Sequence, residues 1–105
     1  MTELVPELMA RIIDLVRSGS YIDIACLSCG IDAETYKAWQ GLADDKPDSI
    51  YGQLQTGISR AEAEAEARNV AIIQKAASEN WQAAQWWLEN RYPGRWQRYK
   101  ILKGR

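Results

Sequence analysis

The chain has 105 residues, 47% of them hydrophobic and 26% charged, which is the composition of an ordinary soluble protein of one domain or one domain with an arm. It contains no histidine, so Ser-His-Asp and Cys-His catalysis are excluded and the commonest metal ligand is missing. The net charge of −1 hides an asymmetry: all 14 acids precede Arg91, and the last fifteen residues carry only cations.

A first helix is predicted from Pro6 to Ser18. Pro6 suits a first turn, and Leu8, Ile12, Leu15 and Val16 recur at helical spacing, with Met9 and Ile13 beside them, until Gly19 ends the run. A second helix is predicted over about Ser20 to Cys29, capped by Ser20, with Ile22, Ala25, Cys26 and Cys29 facing inward. Gly30 then supplies a left-handed turn, Ile31 a core plug and Asp32 an N-cap. The third helix, about Ala33 to Gln40, buries Tyr36 and Trp39, which are three apart and share a face. Its other side carries Ala33, Glu34, Lys37, Ala38 and Gln40.

Gly41 to Pro47 (GLADDKP) has the glycine, proline and paired acids of a loop. Asp48 or Ser49 is then expected to cap a long helix to about Asn80, with Tyr51, Leu54, Ile58, Ala61, Ala65, Ile72 and Ala76 as its apolar stripe. The run RAEAEAEAR alternates with period two, but Ala and Glu are strong helix formers and poor strand formers, so it is read as helix. Its acids form a solvated face supported by pairs such as Glu64–Arg68. Alanines 61, 63, 65 and 67 spread around the helix and permit close approach by neighbours, including other subunits.

Asn80 is the expected cap of a short Trp-rich helix with Ala84, Trp87, Leu88 and Arg91 on one face and Trp81 stapled at its start. The helix ends at Tyr92, before Pro93, and Pro93-Gly94 reads as a turn. Trp96 is expected to fold back over the aromatic core, beside the cations Arg95, Arg98 and Lys100. The fold class is therefore all-α. Residues 1–46 form a helix-turn-helix head, and residues 47–105 form a long helix, a Trp-rich helix and a basic tail for oligomerisation or partner binding.

The segment Ile24 to Trp39, IACLSCGIDAETYKAW, carries most of the functional information. A small residue at a helix contact, a glycine turn, a cap and an aromatic inner face let the following helix enter a DNA major groove. The DNA-contacting residues this predicts are Ser20, Tyr21, Ala33, Glu34, Thr35, Lys37, Ala38, Gln40 and Lys46. In the tail, Arg91, Arg95, Arg98, Lys100 and Lys103 are candidates for phosphate contact, since basic residues interleaved with aromatics suit nucleic acid. The Cys26-x-x-Cys29 pair lacks the preceding strand of a redox motif and the further ligands of a zinc site, so both are read as small side chains at a helix–helix contact. No catalytic residue, metal or cofactor is assigned. Without an apolar run long enough for a bilayer or a signal-peptide pattern, no membrane partner is expected and a cytoplasmic location is.

Two blocks resemble the helix-turn-helix small subunits of bacteriophage DNA-packaging terminases. One is IACLSCGIDAETYKAWQ. The other is the more distinctive run Trp81, Ala83, Ala84, Trp87, Leu88, Glu89, Arg91, Pro93 and Trp96. The resemblance spans about Pro6 to Arg98. It implies a non-enzymatic protein of the infected bacterial cell that binds double-stranded viral DNA and assembles with itself into a ring. It also implies regulation of a separate terminase large subunit that carries the ATPase and nuclease. The chain itself has no phosphate-binding Gly-Lys-Ser/Thr loop and no obvious paired-carboxylate metal cluster. Two other readings use the same residues: a dimeric phage or prophage transcription regulator, and a helical protein–protein adaptor without DNA binding.

Overall fold

The computed structural model describes residues 2–97, and these are all-helical, without a strand. In chain order the helices are α1 (Pro6–Arg17), α2 (Ile22–Ser28), α3 (Ala33–Asp45), α4 (Ile50–Ala77) and α5 (Trp81–Arg91), and a further helical stretch covers 93–97. The chain divides into two compact units between Glu66 and Ala67, inside α4. The head delimited from the sequence, residues 1–46, lies wholly within the first unit, which continues to Glu66.

In the first unit α1 starts with Pro6, whose missing N–H costs nothing at that position. Ile12 and Val16 are buried on its inner face, with Leu8, Met9, Ile13 and Leu15 packed around them. Gly19 closes the helix at φ +114°. The Ser20 N–H then donates back to the Leu15 carbonyl at 3.1 Å. Ser20 thus finishes α1 and does not cap α2; Tyr21 holds that position and provides no side-chain cap bond. A second glycine closure follows: Gly30 has φ +81°, and the Ile31 N–H reaches the Cys26 carbonyl at 2.9 Å. Ile31 is then plugged into the core.

α3 runs five residues past its predicted end, through Gly41 to Asp45. Glycine weakens a helix interior by only about 1 kcal/mol, and Ala43, one turn beyond Trp39, is buried. Burial on that shared face outweighs the loop-like composition. The break is confined to Lys46–Ser49, where the Ser49 hydroxyl donates to the Lys46 carbonyl at 2.6 Å and accepts from the Gly52 N–H at 3.4 Å. Of the two residues proposed to cap α4, Ser49 therefore does so.

Trp39 has no exposed surface and sits among Ile12, Val16, Ala25, Cys26, Ile31, Leu54, Ile58 and Ala61 in one core. Its ring meets Tyr51 at 6.1 Å between centroids, tilted by 47°. The predicted stripe of α4 holds for Tyr51, Leu54, Ile58, Ala61 and Ala65. The Glu64 carboxylate accepts from Arg60 Nε, one turn earlier in α4, at 3.2 Å and from Arg17 Nε of α1 at 2.8 Å, so the acid for which the sequence suggested Arg68 as partner pairs with Arg60 and ties α4 to α1.

In the second unit the stripe fails. Ile72 and Ala76 are exposed, and Val70, Ile73 and Ala77 are the partly covered side chains. Asn80 caps α5 as predicted, accepting from the Gln82 N–H at 2.9 Å. Ala84, Trp87 and Leu88 are half-buried, while Arg91 and Trp81 are exposed, so no staple forms. Pro93-Gly94 is not an isolated turn. The Arg95 and Trp96 N–H groups both donate to the Tyr92 carbonyl, at 3.1 and 3.0 Å, so Pro93 opens the next helical stretch. Trp96, expected over the core, is exposed.

Candidate nucleic-acid interface

The site is built from α2, the Gly30 turn and α3. Asp32 fixes where α3 begins: its Oδ1 accepts from the Thr35 N–H at 2.8 Å. That hydrogen bond holds the Asp32 carboxyl below the ordinary aspartate range. Cys26 is buried at the contact between the helices, where desolvation, with Cys29 and Asp23 adding to it, pushes its thiol up to about 11. Cys26 is thus a protonated small apolar group and a poor nucleophile at neutral pH. Among the described residues no three His, Cys, Asp or Glu side chains group as metal ligands.

Tyr36 and Trp39 anchor α3 inward. The Tyr36 hydroxyl donates to Gln55 Oε1 of α4 at 3.2 Å, and burial pushes that phenol above the ordinary tyrosine range despite the bond. The opposite side of α3 stands clear: Ala33, Glu34, Lys37, Ala38 and Gln40 are all exposed. Tyr21, at the start of α2, is 82% exposed. Ser20 and Thr35 are half-buried, with their N–H groups already committed to Leu15 and Asp32. Lys46 is exposed at the far end of α3, thirteen residues and roughly 20 Å from Ala33 along the axis.

The outward face is not strongly basic. Lys37 is the single cation of α3, against Glu34, Asp44 and Asp45. In the second unit Arg91 and Arg95 are exposed, and the Arg91 guanidinium lies 5.1 Å from the Tyr92 ring centroid, a cation–π pair. Arg98, Lys100 and Lys103 lie outside the described residues.

One feature of the site was not read from the sequence. Ile24 and Leu27, three apart on α2, are 53% and 58% exposed. Beside Leu27 lies a cavity of about 190 Å³ lined by Asp23, Cys26, Leu27, Ile31, Ala33 and Tyr36. Helical spacing alone points to them: Ile24 and Leu27 fall outside the inward set Ile22, Ala25, Cys26 and Cys29, which leaves two large aliphatics on the wet side.

No helix among the described residues is long and apolar enough to cross a membrane. Set against protein-family models, characterised proteins and solved structures, the chain has no match.

Proposed function

We propose that the chain is a non-enzymatic DNA-binding protein that lays the outward face of α3 against duplex DNA and works in several copies. Its role on this reading is that of the small DNA-recognising subunit of a phage packaging machine. The observation that carries the DNA reading is the two-sidedness of α3. Tyr36 and Trp39 lock one side into the core, and Ala33, Glu34, Lys37, Ala38 and Gln40 remain exposed on the other, directly after a glycine turn and a capped start. That is the presentation a groove-entering helix requires. The packaging role rests on the terminase-like blocks around Trp39 and from Trp81 to Trp96.

With one cation on α3, a single module binds weakly. Several linked modules on one duplex raise the affinity without new contacts, and phosphate contacts set position more than sequence. Titrating a fluorescent duplex by anisotropy at several salt concentrations tests this. If about four cations per module meet phosphates, the log–log salt slope is roughly −3.6 per module, and Lys37→Glu weakens binding while leaving the helical circular dichroism unchanged. An affinity indifferent to salt, or to Lys37→Glu, refutes the reading. Native mass spectrometry with the same duplex separates a ring from a dimeric regulator, which would favour one palindromic site.

The adaptor reading has one observation in its favour. Trp81, Trp86 and Tyr92 are exposed, and exposed aromatics are frequent anchors of protein interfaces. It predicts no duplex binding at any salt concentration.

A further inference from the structure

We infer that the groove between α2 and α3 docks the cationic-aromatic segment around Arg91–Trp96 of a second copy of this chain. The inference deepens the proposed reading and rests on it only in calling for more than one copy.

The groove is apolar with an acidic edge. Leu27, Cys26, Ile31, Ala33 and Tyr36 line about 190 Å³ beside Asp23. Apolar cavities near 150 Å³ accept a benzene ring, so this one has room for a single aromatic side chain. The groove lies on the flank of α3 nearest α2, where Ala33 and Tyr36 are. Glu34, Lys37 and Ala38 project from the outward side, roughly 40–140° around the helix from Ala33. A docked side chain therefore covers Ala33, at the edge of the exposed side of α3, and leaves Glu34, Lys37 and Ala38 open.

The sequence of the second unit carries what such a groove selects. Arg91, Tyr92, Arg95 and Trp96 are all exposed within one short segment, and Arg, Tyr and Trp are the residue types that most often anchor interfaces. Charge points to the same occupant. Up to Glu66 the chain has 12 acids and 5 Lys or Arg, and from Ala67 onward it has 2 acids and 8 Lys or Arg. Unlike ends of this sort attract between copies and repel like with like. A contact between different surfaces of identical chains is heterologous, so it repeats from copy to copy and closes into a ring or runs on as a filament.

The test measures self-association of the full chain by sedimentation velocity over a concentration series, without DNA. Leu27→Lys puts a charge into the groove from an exposed position and is expected to weaken association about tenfold. Asp23→Arg and Arg95→Asp are each expected to weaken it about threefold to fivefold, and the two together to restore it. Circular dichroism confirms that each variant is helical. A chain that stays monomeric throughout overturns the proposal, as does one that associates equally well with all three substitutions. Sensitivity to Leu27→Lys without rescue by the charge exchange also overturns it, by showing that something else fills the groove. Because no DNA is present, these outcomes are independent of whether α3 reads a duplex.

Discussion

Two glycines of α4 show how much a single hydrogen atom decides in this molecule. A Cβ at Gly52 would fall 1.8 Å from the Pro47 carbonyl oxygen and 2.5 Å from its carbon, both backbone atoms of the loop that turns α3 into α4. A Cβ at Gly57 would fall 2.4 Å from Ile13 Cδ1, the tip of a side chain that can rotate away. In both places alanine would raise helix propensity by about 1 kcal/mol. At Gly52 the backbone has to move, and overpacking of that kind costs roughly 1–3 kcal/mol or more. Gly52→Ala is therefore expected to lower the thermal midpoint clearly. Gly57→Ala is expected to stay within about 1 kcal/mol of the parent. Thermal unfolding followed by circular dichroism checks the ranking, and a Gly52→Ala protein as stable as the parent would show that the turn is not held against α4.

At the scale of elements, the junction of α3 with α4 combines a good core with imperfect polar pairing. Tyr36 OH and Gln55 Oε1 are bonded across it, yet Gln55 Nε2 and Trp39 Nε1 are buried with no protein partner. A buried unsatisfied donor costs about 1–3 kcal/mol, whereas replacing both members of a bonded pair by apolar groups can be neutral. Gln55→Leu alone strands the Tyr36 hydroxyl. Adding Tyr36→Phe removes that penalty, so the double variant is expected to be at least as stable as Gln55→Leu and close to the parent. Chemical denaturation of the four proteins gives the coupling directly, and strictly additive effects would show that the bond contributes nothing. By contrast Trp39→Ala, which empties the centre of the core, is expected to cost about 3–5 kcal/mol, much of a small domain's total stability.

The two units of the whole molecule differ in what holds them. The first buries Leu4, Ile12, Val16, Ala25, Cys26, Ile31, Trp39, Ala43, Leu54, Ile58, Ala61 and Ala65. Among the described residues of the second, the one buried side chain is Glu89, which accepts from Gln85 Nε2 at 2.9 Å. Opening free energy follows buried apolar contact. Amide hydrogen exchange is therefore expected to be slowest in α1, α3 and the α4 turns up to Ala65, and much faster across α5. If copies associate through the Arg91–Trp96 segment, protection there rises with protein concentration. Uniform slow exchange over both units at high dilution would contradict this account.

The sequence alone determined whatever a few neighbouring residues can settle among themselves. Gly19 and Gly30 take positive φ because other residues rarely do, Asp32 and Asn80 cap because a short carboxylate or amide reaches the next free N–H groups, and Tyr36 with Trp39 marks the inner side of α3 by spacing. The all-α class and the two-faced α3 follow from these. The tertiary structure decided what depends on distant partners. Ser20 precedes an apolar run as a cap does, but α2 begins only at Ile22, so Tyr21 takes the cap position and the Ser20 N–H closes α1 on the Leu15 carbonyl. Gly41–Asp45 has the composition of a loop, but burial of Ala43 keeps it helical. Ile72 and Ala76 continue the stripe of α4 in register, yet a stripe is buried only where another element covers it, and the core that covers Leu54 through Ala65 belongs to the first unit. Periodicity states which side of a helix can be buried; only the neighbours in space determine whether it is.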